Sequence, residues 1–161
     1  KKLFTDYDFR TLCVAVDYDK FKSTYPTKGA IQNSEYYVAL QIILENFVHF
    51  LNSVDGIGCV YLESRGLQAD YDLQLQYELV KKQGTLFIPA NVFQERLKAI
   101  SFPLKIDNSI GLQIADFIPN SIARELASVE QKKYTLHDVI ISKSYDGNNN
   151  LQNRFGIKKV L

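Results

Sequence analysis

The run IGCVYLESRGLQADYDLQLQYELVKKQG, residues 57–84, decides the fold class. Ile57–Ser64 is a short apolar stretch between turn signals, which predicts a buried strand. From Leu67 the pattern changes. Asp70 and Asp72 come early, Lys81 and Lys82 come late, and Gly84 lies beyond. That order suits the dipole and the C-cap of a helix over 67–84. A strand that passes directly into a helix predicts a layered α/β fold.

Working outward, FRTLCVAVDYD (Phe9–Asp19) is rich in apolar and β-branched residues and predicts another strand. Pro26 and Gly29 mark a loop after it. Residues 34–54 predict a long helix, with Ser34 as N-cap and Tyr36, Leu40, Ile43, Phe47 and Leu51 along one face. After Gly84, TLFIP (85–89) predicts a short strand, NVFQERLKAI (91–100) a short helix, and FPLKI (102–106) a last core strand. A third major helix spans Ser109–Ala127. The tail from Tyr134 holds a further helix or strand, a polar turn at Asn148–Asn150, and an apolar end. No repeat and no long linker divides residues 1–161, so one domain is expected.

Hydrophobic residues make up 46% and charged residues 23%, a globular rather than disordered composition. A formal net charge of +1 excludes a strongly basic binder but leaves room for a local basic patch. Cys13 and Cys59 lack metal-knuckle spacing and predict two buried thiols in a reduced, cytoplasmic protein. No apolar run reaches the roughly 18 to 20 residues of a membrane span, so no membrane partner is expected. The chain contains no Met, so Lys1 is not expected to be a translation start.

Three segments could carry chemistry. On the third helix, Gln113, Asp116 and Asn120 share a face while apolar residues fill the others, predicting a buried helix with one polar stripe. Pro119 predicts a kink just after Asp116. A buried carboxylate needs a partner: a metal ion, a neighbouring element to cap, Arg124 or a lysine. At the end of the strand at 57–64, Glu63 stands where ligands gather in open α/β sheets; solvent, or an ion pair with Arg65, would explain it equally well. Lys105, on the expected core strand, needs a carboxylate to offset its desolvation, unless that strand is an edge. His49 and His137 have no metal-ligand spacing, and His49 is expected to be a satisfied structural histidine. Ser64 has no sequence-local base, and no glycine-rich phosphate loop occurs.

The pieces LESRGLQADYDLQLQYELVKKQGT, FPLKIDNSIGLQIADFIPNSIARE and SKSYDGNNNLQNRFGIKKVL together resemble an uncharacterised bacterial and phage family, domain of unknown function number 3800. The resemblance runs in order from about Phe9 to Val160. Its most specific set is Lys105, Asn108, Gly111, Leu112, Gln113, Ala115 and Asp116. Glu63–Ser64–Arg65–Gly66 with Asp70 comes second, and Gly156 with Lys158 third.

The resemblance implies a ribonuclease-H-like mixed sheet flanked by helices. It implies Mg²⁺ or Mn²⁺ held by Glu63 and Asp116, with Lys105 joining them as a third catalytic residue. Arg65, Asp70, Asn108 and Gln113 would support the site; Glu45 is a candidate helix acid that its own helix pattern explains equally well. The implied activity is that of a metal-dependent nuclease, or a related phosphoryl-transfer enzyme, with nucleic acid as partner. The alternative is a non-catalytic binding or regulatory module that keeps the fold. Family members open with a strand carrying Asp-Glu-Ser-Gly, which this sequence lacks; FTDYDF (4–9) is a poor substitute. The expectation is therefore that residues 1–161 are the C-terminal part of such a domain, with the first strand and its acid upstream of Lys1.

Overall fold

The computed structural model describes residues 2–24, 34–130, 136–148 and 150–160. The expected loop at Pro26 and Gly29, and Asn149 of the expected polar turn, lie outside them. The fold is α/β. Its strands are β1 (Cys13–Val16), β2 (Gly58–Tyr61), β3 (Leu97–Ser101) and β4 (Ile157–Val160). Its helices are α1 (Lys2–Asp6), α2 (Tyr18–Thr24), α3 (Glu35–Ser53), α4 (Leu67–Gln83), α5 (Ala90–Arg96), α6 (Ile110–Leu126), α7 (His137–Ser142) and α8 (Gln152–Phe155).

Among the described residues the strands form two parallel pairs rather than one sheet: β1 with β4, and β2 with β3. The second pair is a βαβ crossover through α4 and α5, the long connection that parallel neighbours require. Its ladder continues past β2, because Leu62 N–H donates to Ser101 O and Ser64 N–H to Pro103 O, both at 3.0 Å.

The long helices follow their local signals. Ser34 caps α3, its Oγ accepting from Tyr37 N–H at 3.3 Å. Gly84 ends α4 with φ +73°, and a Cβ there would meet Ala90 N at 2.7 Å. The main core packs Leu40, Leu44, Val48 and Leu51 of α3 against Leu73, Tyr77 and Val80 of α4, with Phe93 and Leu97 beneath. Each such side chain contributes about 1.5–3 kcal/mol by leaving water. The buried stripe of α3 differs from the expected one: Tyr36 is exposed, and Leu44 and Val48 replace Ile43 and Phe47. Arg96 ties the end of α5 to the turn after α3, donating to Asn52 Oδ1 at 2.7 Å and to Asp55 Oδ1 at 2.8 Å.

Several expectations are corrected. Residues 85–89 are not a strand. Thr85 N–H donates to Ile88 O (2.8 Å), and Thr85 Oγ1 accepts from Phe87 and Ile88 N–H, so the hydroxyl closes a local turn that competes with sheet pairing. Helix α5 stops at Arg96, and 97–101 becomes a strand, because pairing with β2 and complete burial of Leu97 outweigh a seven-residue helix. The core strand is therefore Leu97–Ser101, and FPLKI leads out of it into a 3-10 turn at Lys105–Asp107. Neither cysteine is buried: Cys13 is half-buried, where burial raises its thiol pKa, and Cys59 is exposed on the open face of β2.

The largest correction concerns α6. Only Ser121 and Ile122 are buried on it, and Phe117 is 58% exposed. The helix runs on through Pro119 and rests on β1 and α7, with Phe117 edge-on to Phe4 at 5.8 Å. Apolar composition set the expectation of burial, but burial depends on what other elements reach the helix. Among the described residues no helix is long and apolar enough to cross a membrane.

Candidate functional site

Of the residues singled out in the sequence, Glu63, Arg65 and Lys105 lie about the carboxyl end of the β2–β3 pair, while Gln113 and Asp116 belong to α6, which rests on β1 and α7. Alternation along β2 turns Cys59, Tyr61 and Glu63 to the open face, while Val60, Leu62 and Ser64 face inward. Glu63 lies in the extension held by the Leu62–Ser101 and Ser64–Pro103 bonds. Pro103 stands two residues before Lys105, so the turn carrying Lys105 begins beside the end of the strand bearing Glu63.

That turn is built locally. Asp107 Oδ2 accepts from Leu104 N–H at 2.7 Å, and Asn108 takes a left-handed conformation (φ 51°) that asparagine tolerates. Gln113 Nε2 then reaches back from the first turn of α6 to both the backbone O (3.3 Å) and Oδ1 of Asn108. The pair fixes where α6 starts. Asp116 follows three residues later on the same helix face, exposed.

Asp70 has a structural task. Its Oδ2 accepts from Ser64 Oγ at 2.5 Å and its Oδ1 from Arg65 N–H at 2.8 Å, closing the turn between β2 and α4. Arg65 lays its guanidinium over Tyr36 of α3, 5.0 Å from the ring centroid. It forms no ion pair with Glu63. Arg124 binds Glu130 O rather than Asp116. Arg65 and Arg124 are thus engaged elsewhere; among the described residues neither carboxylate has a hydrogen bond or ion pair, and both are exposed, as the solvent reading of Glu63 has it.

Two corrections bear on the site. Lys105 is exposed on a turn instead of desolvated in a strand. Asp116 is exposed instead of buried, because nothing among the described residues covers its face of α6. Asp107 escaped the sequence reading; its spacing three residues after Leu104, in a Leu-Lys-Ile-Asp-Asn turn, was the available signal. Glu45 lies on α3, accepting from Gln41 Nε2 at 3.4 Å.

The donor types suit a hard cation: the carboxylates of Glu63 and Asp116 are oxygen ligands of the kind Mg²⁺ and Mn²⁺ take, whereas Asn108 Oδ1 already accepts from Gln113 Nε2. Among the described residues no group of three His, Cys, Asp or Glu is placed to hold a metal. The two carboxylates would therefore leave most of an octahedral shell to water or substrate oxygen.

No family model, curated protein or solved structure matches the chain.

Proposed function

We propose that this chain carries part of the active site of a divalent-metal-dependent nuclease, or a related phosphoryl-transfer enzyme acting on nucleic acid, in a ribonuclease-H-like domain. One observation carries the reading: Glu63 stands at the carboxyl end of a parallel strand pair and the turn carrying Lys105 leaves that same end, where α/β folds bind ligands. Neither carboxylate is engaged in holding the fold among the described residues.

Glu63 and Asp116 are the proposed ligands. A bound Mg²⁺ or Mn²⁺ would supply Lewis-acid polarisation of the phosphate and an activated water. Lys105, exposed on its turn, would hold a phosphate oxygen. Gln113 and Asn108 would position Asp116 through the start of α6, and Asp70 would position Glu63 through the turn after it.

Calorimetry of Mg²⁺ and Mn²⁺ binding, followed by cleavage assays on single- and double-stranded DNA and RNA, tests the proposal. Wild-type protein is expected to bind metal and cleave, and Asp116→Asn to lose both while keeping its fold. Absence of metal binding by the full-length protein would overturn it.

A further inference from the structure

A second site lies at the opposite end of α4 from Glu63. A cavity of about 240 Å³ opens between α3, the turn after α4, α8 and β4. Its lining includes Arg154, Lys158, Asn46, His49, Glu45 and Phe87.

The cavity is held in shape by its own bonds. Asn46, 8% exposed, donates from Nδ2 to Phe155 O at 3.0 Å and to Arg154 O at 3.5 Å, pinning α8 to α3. His49 pairs through Nδ1 with Tyr145 Oη at 2.8 Å and lies against the Phe155 ring, 4.2 Å between centroids. Those contacts fix the backbone from which Arg154 projects.

The charges left over are cationic. Arg154 lies over the Phe155 ring at 5.1 Å, a contact that leaves its guanidinium donors unused. Neither Arg154 nor Lys158 has an ion pair among the described residues. The single carboxylate, Glu45, bonds to Gln41 on its own helix. Desolvation first, and then the Arg154 charge, hold the His49 pKa below its ordinary value, so this lining ring is neutral at pH 7. Phe87, 74% exposed, also lines the cavity and makes no ring contact among the described residues.

Two cations without ion pairs among the described residues, in a cavity that also presents the exposed Phe87 ring, match a phosphate joined to a flat heterocycle. The volume is below the about 300–1,000 Å³ of sites for drug-sized ligands, which limits the occupant to one small unit. We infer that this cavity binds a single nucleotide through its phosphomonoester, held by Arg154 and Lys158, with the base against Phe87. The nucleotide could be free or the 5′ end of a strand, since both present the same group.

Titration calorimetry with adenosine 5′-monophosphate, inorganic phosphate and a 5′-phosphorylated single-stranded oligonucleotide tests this. The monophosphate is expected to bind about tenfold or more tightly than phosphate, as stacking of one base implies. Arg154→Gln and Lys158→Gln should each weaken it by about tenfold. Phe87→Ala should remove the advantage of the monophosphate over phosphate. Glu45→Gln, which deletes the one carboxylate among the described lining residues without touching the pinning bonds, should tighten binding. Asp116→Asn should leave it unchanged, which separates this site from the one at Glu63. Binding of the monophosphate alone assigns a free nucleotide, and binding of the oligonucleotide as well assigns a strand end. Binding of neither overturns the inference, as does binding indifferent to both cation substitutions.

Discussion

Asp70 and Ser64 share a hydrogen bond of 2.5 Å, and the second oxygen of Asp70 takes Arg65 N–H, so one carboxylate closes the turn between β2 and α4. Asp70→Ala leaves both donors without that acceptor and removes a negative charge from the first turn of α4. We expect a loss of about 1–2 kcal/mol in urea unfolding. Asp70→Asn, which keeps one acceptor, should lose less. An unchanged unfolding midpoint for Asp70→Ala would show that the turn holds itself.

Asp116 offers the opposite case. It is exposed and, among the described residues, bonded to nothing, so Asp116→Asn should change stability by no more than about 0.5 kcal/mol. Metal binding and cleavage should vanish in the same variant. Thermal unfolding measured beside metal calorimetry distinguishes a ligand from a support.

His49 makes stability depend on pH. Burial and Arg154 lower its pKa in the folded state, so the unfolded chain binds a proton more readily. This contribution is full above the unfolded value of about 6.5 and is lost as pH falls through the lower folded value. Denaturant midpoints between pH 7.5 and 5 should therefore decline toward acid. His49→Gln should flatten that slope, whatever its effect at pH 7.5; a slope that survives the substitution would place its source elsewhere.

Gly156 lets the β1–β4 ladder close against Ser144. Cys13 N–H donates to Gly156 O at 2.5 Å, and a Cβ on Gly156 would overlap the Ser144 hydroxyl and meet Tyr145 O at 2.6 Å. Backbone cannot yield as a flexible side chain can, so Gly156→Ala should cost about 1–3 kcal/mol by calorimetry. Wild-type stability in that variant would mean the strand pair shifts freely.

These residues also show what could be read in advance. Helices α3, α4 and α6 were legible to within a residue or two, because capping by Ser34, termination by Gly84 and apolar spacing are local signals. The strand at β2 was legible for the same reason. The strand at Leu97–Ser101 was not: its residues continue a helical pattern, and only pairing with β2 makes them extended. Of the candidate site, Glu63, Lys105 and Asp116 could be picked out by residue type and by resemblance. The engagement of Asp70 with Ser64 could not, since it depends on how tightly one turn closes.

The sequence by itself determined the α/β class, the ends of the long helices and the near-neutral charge, because each depends on residues within a few positions of one another. Tertiary structure alone decided which strands pair, that the Asp116 face of α6 stays open, and that Arg154 and Lys158 meet α3 across a cavity. Those outcomes depend on segments far apart in the chain, from the 40 positions between Cys59 and Ala99 to the 109 between Asn46 and Phe155, and a contact at that range follows from packing geometry rather than from local preference.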